Sequence, residues 1–154
     1  MAGDLLPRME LAPTITAGAY SDGDVVGGLL TLTELGIVRG AFLNKICVVD
    51  AANQKAAFDL WIFNAAPTAV LDNAAFAPTA ADLKKVVTRA NFPASAYQTV
   101  NSLAHGERDV VNNLITSNYG TLYAYIVLNG STPTYSATSD LWLALDLVPQ
   151  ARGR

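Results

Sequence analysis

The stretch KICVVDAANQKAAFDLWIFN, residues 45–64, decides the fold of this chain. It predicts two strands, at residues 37–50 and 55–64, joined by a polar turn at 51–54. In the second strand the side chains alternate between two faces: Ala56, Phe58, Leu60 and Ile62 on one, and Lys55, Asp59, Trp61 and Phe63 on the other. One face is fully apolar and the other is half aromatic. This pattern predicts a core behind the strand and either a partner or a second layer in front of it.

The same alternation recurs near the end of the chain, in TLYAYIVL (121–128) and DLWLALDLV (140–148). Further short apolar runs are separated by Gly, Pro, Asn and Asp turns, which gives eight or nine strands and almost no helix. We therefore predict an all-β fold, a jelly-roll-like β-sandwich of about eight strands.

The predicted organisation is an N-terminal arm at residues 1–12, one sandwich domain at 13–149 and a C-terminal tail at 150–154. Within the sandwich domain, the first strand is predicted at 13–18, and a polar turn at 105–107.

Two local signals have a definite physical meaning. Gly27 and Gly28 lie inside a predicted strand, and paired glycines there indicate a bulge or the close approach of another backbone. Thr79 and Asp82 have the spacing of a capping box, which predicts a short helical turn at residues 79–85.

The composition limits the class of protein. Charged residues make up 15% of the chain and the mean hydropathy is +0.28, so large surfaces are expected to be covered by other protein. No run of eighteen apolar residues occurs, and no membrane span is predicted. The N-terminus has acids where a secretion signal needs a positive flank, so no such signal is predicted. The net charge is −3 and the ten Lys and Arg are scattered, which argues against nucleic-acid binding.

The sequence predicts no catalytic residue, metal site or cofactor, and the chain is expected not to be an enzyme. His105 is the only histidine, and neither a GxSxG nucleophile setting nor a phosphate-binding glycine loop is present. Asp22 and Asp24 flank a glycine, and a plain turn is favoured over a calcium site. Cys47 has no cysteine to pair with and is interpreted as a small buried thiol, consistent with folding in a reducing cytoplasm.

The aromatic side chains opposite the apolar rows are the most informative residues. They form the candidate interface with other protein chains: Trp61, Phe63, Tyr123, Tyr125 and Trp142. Trp and Tyr are favoured where large areas are buried between subunits. Two alternatives stay open. These rows belong to the core of a single chain that covers both faces, or they form a flat platform for stacking sugars.

Three passages resemble a known group of proteins. They are TITAGAYSDGDVVGGLLTL (14–32), AFDLWIFNAAPT (57–68) and PTYSATSDLWLALDLV (133–148). Together they resemble small all-β structural proteins encoded among the virion genes of tailed bacteriophages. The matching motifs are turns and strands, and residues 69–117 have no counterpart in the resemblance.

The resemblance implies a non-enzymatic virion protein, a capsid decoration protein that binds the assembled head and stabilises it. It also implies self-association, as a homotrimer, and binding to the major capsid protein at the capsid surface, after synthesis in the host cytoplasm. The arm at residues 1–12 is expected to reach a neighbour or the shell. The alternatives are a carbohydrate-binding β-sandwich module and a component of the phage tail or baseplate.

Overall fold

The computed structural model describes residues 8–32, 40–115 and 121–149. Within these ranges the chain contains one short helix, α1 (Ala80–Leu83), and one 3-10 turn (Ala94–Ala96). The strands are β1 (Arg8–Leu11), β2 (Val25–Leu32), β3 (Ala41–Asp50), β4 (Phe58–Phe63), β5 (Val86–Phe92), β6 (Tyr97–Val100), β7 (Leu103–Ile115), β8 (Leu122–Leu128) and β9 (Leu141–Pro149). No helix in the described ranges is long and apolar enough to cross a bilayer.

The strands form two antiparallel sheets. One sheet has five strands in the order β1-β9-β3-β7-β6, and the other has four in the order β2-β8-β4-β5. Pairing is nested along the chain, since β1 pairs with β9, β2 with β8, β3 with β7 and β4 with β5. The predicted all-β sandwich of about eight strands is confirmed.

The stretch at residues 45–64 carries the chain from one sheet to the other, because β3 belongs to the five-stranded sheet and β4 to the four-stranded sheet. Asp50, the last residue of β3, holds the turn that connects the two sheets. Its buried carboxylate accepts hydrogen bonds from the backbone N–H groups of Ala52, Gln54 and Lys55 at 3.0, 2.8 and 2.8 Å. Burial raises the pKa of Asp50, and these three hydrogen bonds oppose that shift. The predicted polar turn at 51–54 is therefore confirmed.

The main core lies between the sheets and contains the inward-facing side chains of both. Its largest fully buried members include Phe58, Phe92, Leu43, Ile46, Leu60, Ile62, Ile115 and Leu122. The rings of Phe58 and Phe92 stack with their centroids 5.1 Å apart. The apolar row predicted for the second strand thus faces the core.

The beginning of the chain differs from the prediction. Residues 13–18 do not form a strand, and Pro13 has no N–H to donate to a sheet. Instead Arg8–Leu11, inside the predicted arm, forms β1 and pairs with β9. Leu11 is buried and Met9 packs against the core, and this packing holds the strand in the sandwich.

The predicted turn at residues 105–107 is wrong, because these residues lie within β7. The chain reverses earlier, at Asn101 and Ser102, which both have positive φ angles of 47° and 69°. Gly106 serves packing rather than a turn. A Cβ at that position would lie 2.8 Å from Cζ of Phe92, so the ring needs the space that the glycine leaves.

Other local predictions are confirmed. The β2–β8 register shifts between Val26 and Leu30, at Gly27 and Gly28. The capping box of Thr79 and Asp82 is present and begins α1. Residues 1–7 of the predicted arm, residues 33–39, which include the start of the strand predicted at 37–50, residues 116–120 and residues 150–154 of the predicted tail lie outside the described residues.

Candidate protein interface

The five predicted interface residues do not share one surface. Trp61, Phe63, Tyr123 and Tyr125 lie on the outer face of the four-stranded sheet, where Trp61 pairs with Tyr125 and Phe63 with Tyr123. Trp142 lies on the outer face of the five-stranded sheet, opposite Val49 in the ladder. The two outer faces are on opposite sides of the sandwich, so they must be considered separately.

The outer face of the four-stranded sheet is covered by the connection between β4 and α1, residues 64–79, which we call the covering segment. Val70 and Phe76 of this segment pack on a second hydrophobic cluster whose fully buried members include Phe63 and Tyr125, each 0% exposed. The candidate interface is corrected here, because the chain itself buries Phe63 and Tyr125. Trp61 and Tyr123 are partly buried in the same cluster.

The Tyr125 hydroxyl binds the backbone of the covering segment through two hydrogen bonds. It donates a hydrogen bond to the Thr68 carbonyl at 2.8 Å and accepts one from the Val70 N–H at 2.9 Å. Burial raises the pKa of Tyr125, and the hydrogen bond from Val70 opposes this shift. The ring also lies 5.5 Å from that of Phe76, so polar and apolar contacts hold the same two elements together.

Trp61 is enclosed by two side chains. Its ring lies 5.3 Å from that of Phe76, and the Arg89 guanidinium lies over it, 5.1 Å from the centroid. Arg89 is in turn 3.8 Å from the Asp59 carboxylate. The cation–π contact and the ion pair leave little of this ring free for another partner.

Asp72 ties the covering segment to the start of the sandwich. Its carboxylate accepts hydrogen bonds from the hydroxyls of Thr16 and Tyr20 at 2.6 and 2.7 Å, and from the Gly27 N–H at 2.6 Å. Burial, together with the hydrogen bond to Asp72, raises the pKa of Tyr20 to about 12. Sequence reasoning missed Asp72, because nothing near it in the chain signals its three distant partners.

The covering segment also covers the start of the free edge of β2. The Val25 N–H donates to the Ala74 carbonyl and the Asn73 N–H to the Val25 carbonyl, both at 2.8 Å. This part of the edge cannot pair with another chain. The covering segment is therefore a built part of the fold, held on both the face and the edge of the sheet.

Asp82 anchors the far end of the covering segment. Its carboxylate accepts hydrogen bonds from the backbone N–H groups of Thr68 and Thr79 at 2.8 and 3.0 Å, and from both threonine hydroxyls. These hydrogen bonds hold the pKa of Asp82 far below its usual value. The ionised carboxylate is thus the form that the fold requires.

Asp82→Asn is expected to lower stability at pH 7 and to lower it clearly less in acid. Because the pKa of Asp82 is lower in the folded state, its contribution is fully present above the unfolded-state value of about 4 and declines as the pH falls from there towards the folded-state value. Urea unfolding of both proteins at pH 7 and pH 2.5 measures the gap. The control is Asp22→Asn, whose exposed carboxylate accepts the Gly130 N–H and no other donor among the described residues. An equal Asp82→Asn effect at both pH values would contradict this account.

The outer face of the five-stranded sheet has a different character, and no other described segment of the chain lies across it. We call it the open face. Its outward side chains include Arg8, Glu10, Phe42, Lys45, Cys47, Val49, Gln98, Val100, Leu103, His105, Glu107, Asp109, Leu114, Trp142, Ala144, Asp146 and Val148. Trp142 is half-buried here and remains a predicted interface residue.

One row of the open face alternates in charge across four strands. Arg8 pairs with Asp146, Asp146 with Lys45 and Lys45 with Asp109 in the ladder. The Arg8 guanidinium makes two hydrogen bonds to Asp146, at 2.6 and 3.1 Å, and the Lys45 ammonium lies 3.8 Å from Asp109. The Arg8 guanidinium holds the pKa of Asp146 below its usual value.

Cys47 lies in the middle of the open face but is inaccessible. Arg8 lies across it, with a guanidinium nitrogen 3.6 Å from Sγ, and the side chain is buried. Burial raises the pKa of the thiol, which disfavours the reactive thiolate. The interpretation of Cys47 as a small buried thiol is confirmed.

Asp22, Asp24 and His105 are the residues that the sequence analysis considered for metal binding or catalysis. The Asp24 carboxylate accepts the Ser21 N–H at 2.8 Å and closes its turn, and the Asp22 carboxylate accepts the Gly130 N–H at 2.7 Å and joins this turn to the one after β8. His105 lies on the open face, with Nε2 3.9 Å from the Glu107 carboxylate. Within the described ranges, no three His, Cys, Asp or Glu side chains cluster closely enough to hold a metal ion.

The three passages that carry the family resemblance coincide with elements of both sheets. They contain β2, β4 and β9, with the turns that lead into β2 and β9. No protein-family model matches the chain, and no curated protein sequence matches it. The resemblance to phage virion proteins therefore rests on these three passages.

Proposed function

We propose that this chain is a non-enzymatic structural protein of a phage virion, a decoration protein that binds the assembled head and stabilises it. The open face is the observation that carries the proposal. The chain covers one outer face with its own residues 64–79, whereas no other described segment lies across the opposite face, where Trp142 lies beside a group of charged side chains. A broad sheet face with a half-buried aromatic ring is suited to contact with another protein surface.

The physical effect of such a protein is additive. A ligand that binds only the assembled shell stabilises that state by mass action. Many copies on a lattice multiply a modest binding energy per copy. The proposed partners are the major capsid protein and further copies of the chain, as a homotrimer at the capsid surface.

The surroundings of Trp61 favour this role over the carbohydrate-binding alternative. Jelly-roll sandwiches recur in viral capsid and lectin domains, although a fold alone does not determine function. A sugar platform needs a free ring face, whereas Arg89 and Phe76 lie against the ring of Trp61. These contacts favour a structural role over sugar stacking at this residue.

The test is to locate the protein in purified particles. Heads and tails of the phage that encodes the chain are separated, and each fraction is probed with an antibody and by quantitative mass spectrometry. We expect many copies on heads, and heads made without the protein should release their DNA at a lower temperature. Detection only in tails would favour the baseplate alternative, and absence from both fractions would overturn the proposal.

A further inference from the structure

We propose that the open face docks onto a basic protein surface that offers an apolar pocket to Trp142. This inference rests on the proposed function and specifies which side of the sandwich meets the head.

The open face is acidic. Its two basic side chains are Arg8 and Lys45, whereas four are acidic: Glu10, Glu107, Asp109 and Asp146. The net charge of the face is therefore −2 when His105 is neutral. An acidic surface attracts a basic partner and speeds the encounter with it.

Both cations already form ion pairs within the chain. Arg8 makes a bidentate contact with Asp146, and the Lys45 ammonium lies 3.7 Å from the Glu107 carboxylate and 3.8 Å from the Asp109 carboxylate. The side chains of Glu107 and Asp109 nevertheless remain 51% and 80% exposed. Glu10 makes no ion pair with any described residue. The charge left over for a partner is thus carboxylate charge.

Trp142 lies beside this acidic region rather than inside it. It occupies the ladder row formed with Val49 and His105, two rows along the strands from Asp146. A half-buried tryptophan at the side of a charged region resembles an interface hot spot, in which an aromatic anchor fills a pocket and polar groups lie around it.

A second copy of the chain is the less favourable occupant. Face-to-face contact between two copies would bring two surfaces of the same net negative charge together, and like charges at an interface are costly. A basic partner removes that repulsion. On the proposed function, the occupant is the outer surface of the assembled shell.

The test measures binding of the full chain to heads that lack it, by co-sedimentation at increasing salt. The open-face variants are Trp142→Ala and the double variant Glu107→Gln with Asp109→Asn. We expect each to weaken binding about tenfold or more, and the double variant to weaken the salt dependence. Asp22→Asn is the control, because it removes an exposed carboxylate outside the open face and should bind as the wild type does. Melting curves of each variant check that it is folded.

The outcomes separate the two proposals. If the wild type binds heads and the open-face variants bind equally well, the inference about this face is overturned while the proposed function stands. If the wild type does not bind heads, both fail. If light scattering shows that Trp142→Ala lowers the mass of the free protein, the open face joins copies of the chain, and the basic partner is excluded.

Discussion

Phe63→Ala is expected to destabilise the sandwich by about 3–5 kcal/mol, the usual cost of removing a fully buried phenylalanine. The ring is 0% exposed and packs edge-on against Tyr125, with centroids 5.9 Å apart. Its removal leaves a cavity beneath the covering segment, which the hydrogen bonds of Tyr125 and Asp72 keep from collapsing inward. Urea unfolding followed by fluorescence measures the loss.

Trp142→Ala is the matched control for Phe63→Ala. It also removes a large ring from an outer face, but this ring is half-buried and no described segment lies over it. We expect a loss of about 1 kcal/mol or less, typical of a substitution outside the core. A small effect for Phe63→Ala would contradict the burial of this ring in the second hydrophobic cluster. Phe63 would then again be a candidate interface residue.

The contrast between these two residues shows what alternation can predict. A period of two places Phe63 and Trp142 on outward faces, and the structure agrees for both. Alternation does not show which outward face another segment will cover. That depends on residues 64–79, which have no period and are held by contacts distant in sequence, such as Asp72 with Tyr20.

The predictions for residues 8–11 and 105–107 were wrong for related reasons. Arg8–Leu11 has two charged residues and follows a proline, so its composition resembles an arm. Its place in the sheet depends on β9, more than a hundred residues later. Gly106 resembles a turn glycine, yet its purpose is to make room for Phe92. In both cases tertiary packing overrides the local preference.

The candidate interface was predictable only in part. The sequence identified Trp142, but it gave no reason to separate this residue from Trp61, Phe63, Tyr123 and Tyr125. The acidic character of the open face depends on register, because Asp146, Lys45 and Asp109 come together only when β9, β3 and β7 are aligned. Between Leu43 and Lys45 the register shifts by one residue against β9 and by two residues against β7, so no periodic rule would have found the row.

The second large effect is expected at Gly27, where Gly27→Ala should cost about 2–5 kcal/mol from backbone strain and overpacking together. The residue has a φ of +84°, which favours glycine. A Cβ there would also lie 2.4 Å from the Cβ of Pro13, a separation that requires the backbone to move. Such a movement would disturb the Gly27 N–H that binds Asp72, and with it the attachment of the covering segment.

Gly130→Ala is the control that separates backbone strain from steric overlap with a neighbouring residue. Gly130 has a similar φ of +75°, but no atom lies within 4 Å of its ideal Cβ. We expect it to lose only the cost of the left-handed backbone, about 1–2 kcal/mol. Thermal or urea unfolding of both variants measures the difference. Equal losses would mean that Pro13 yields freely, so that the glycine at position 27 serves the bulge of β2 alone. A larger loss at Gly27 would show that the irregular backbone at residues 13–18 is pressed against this strand.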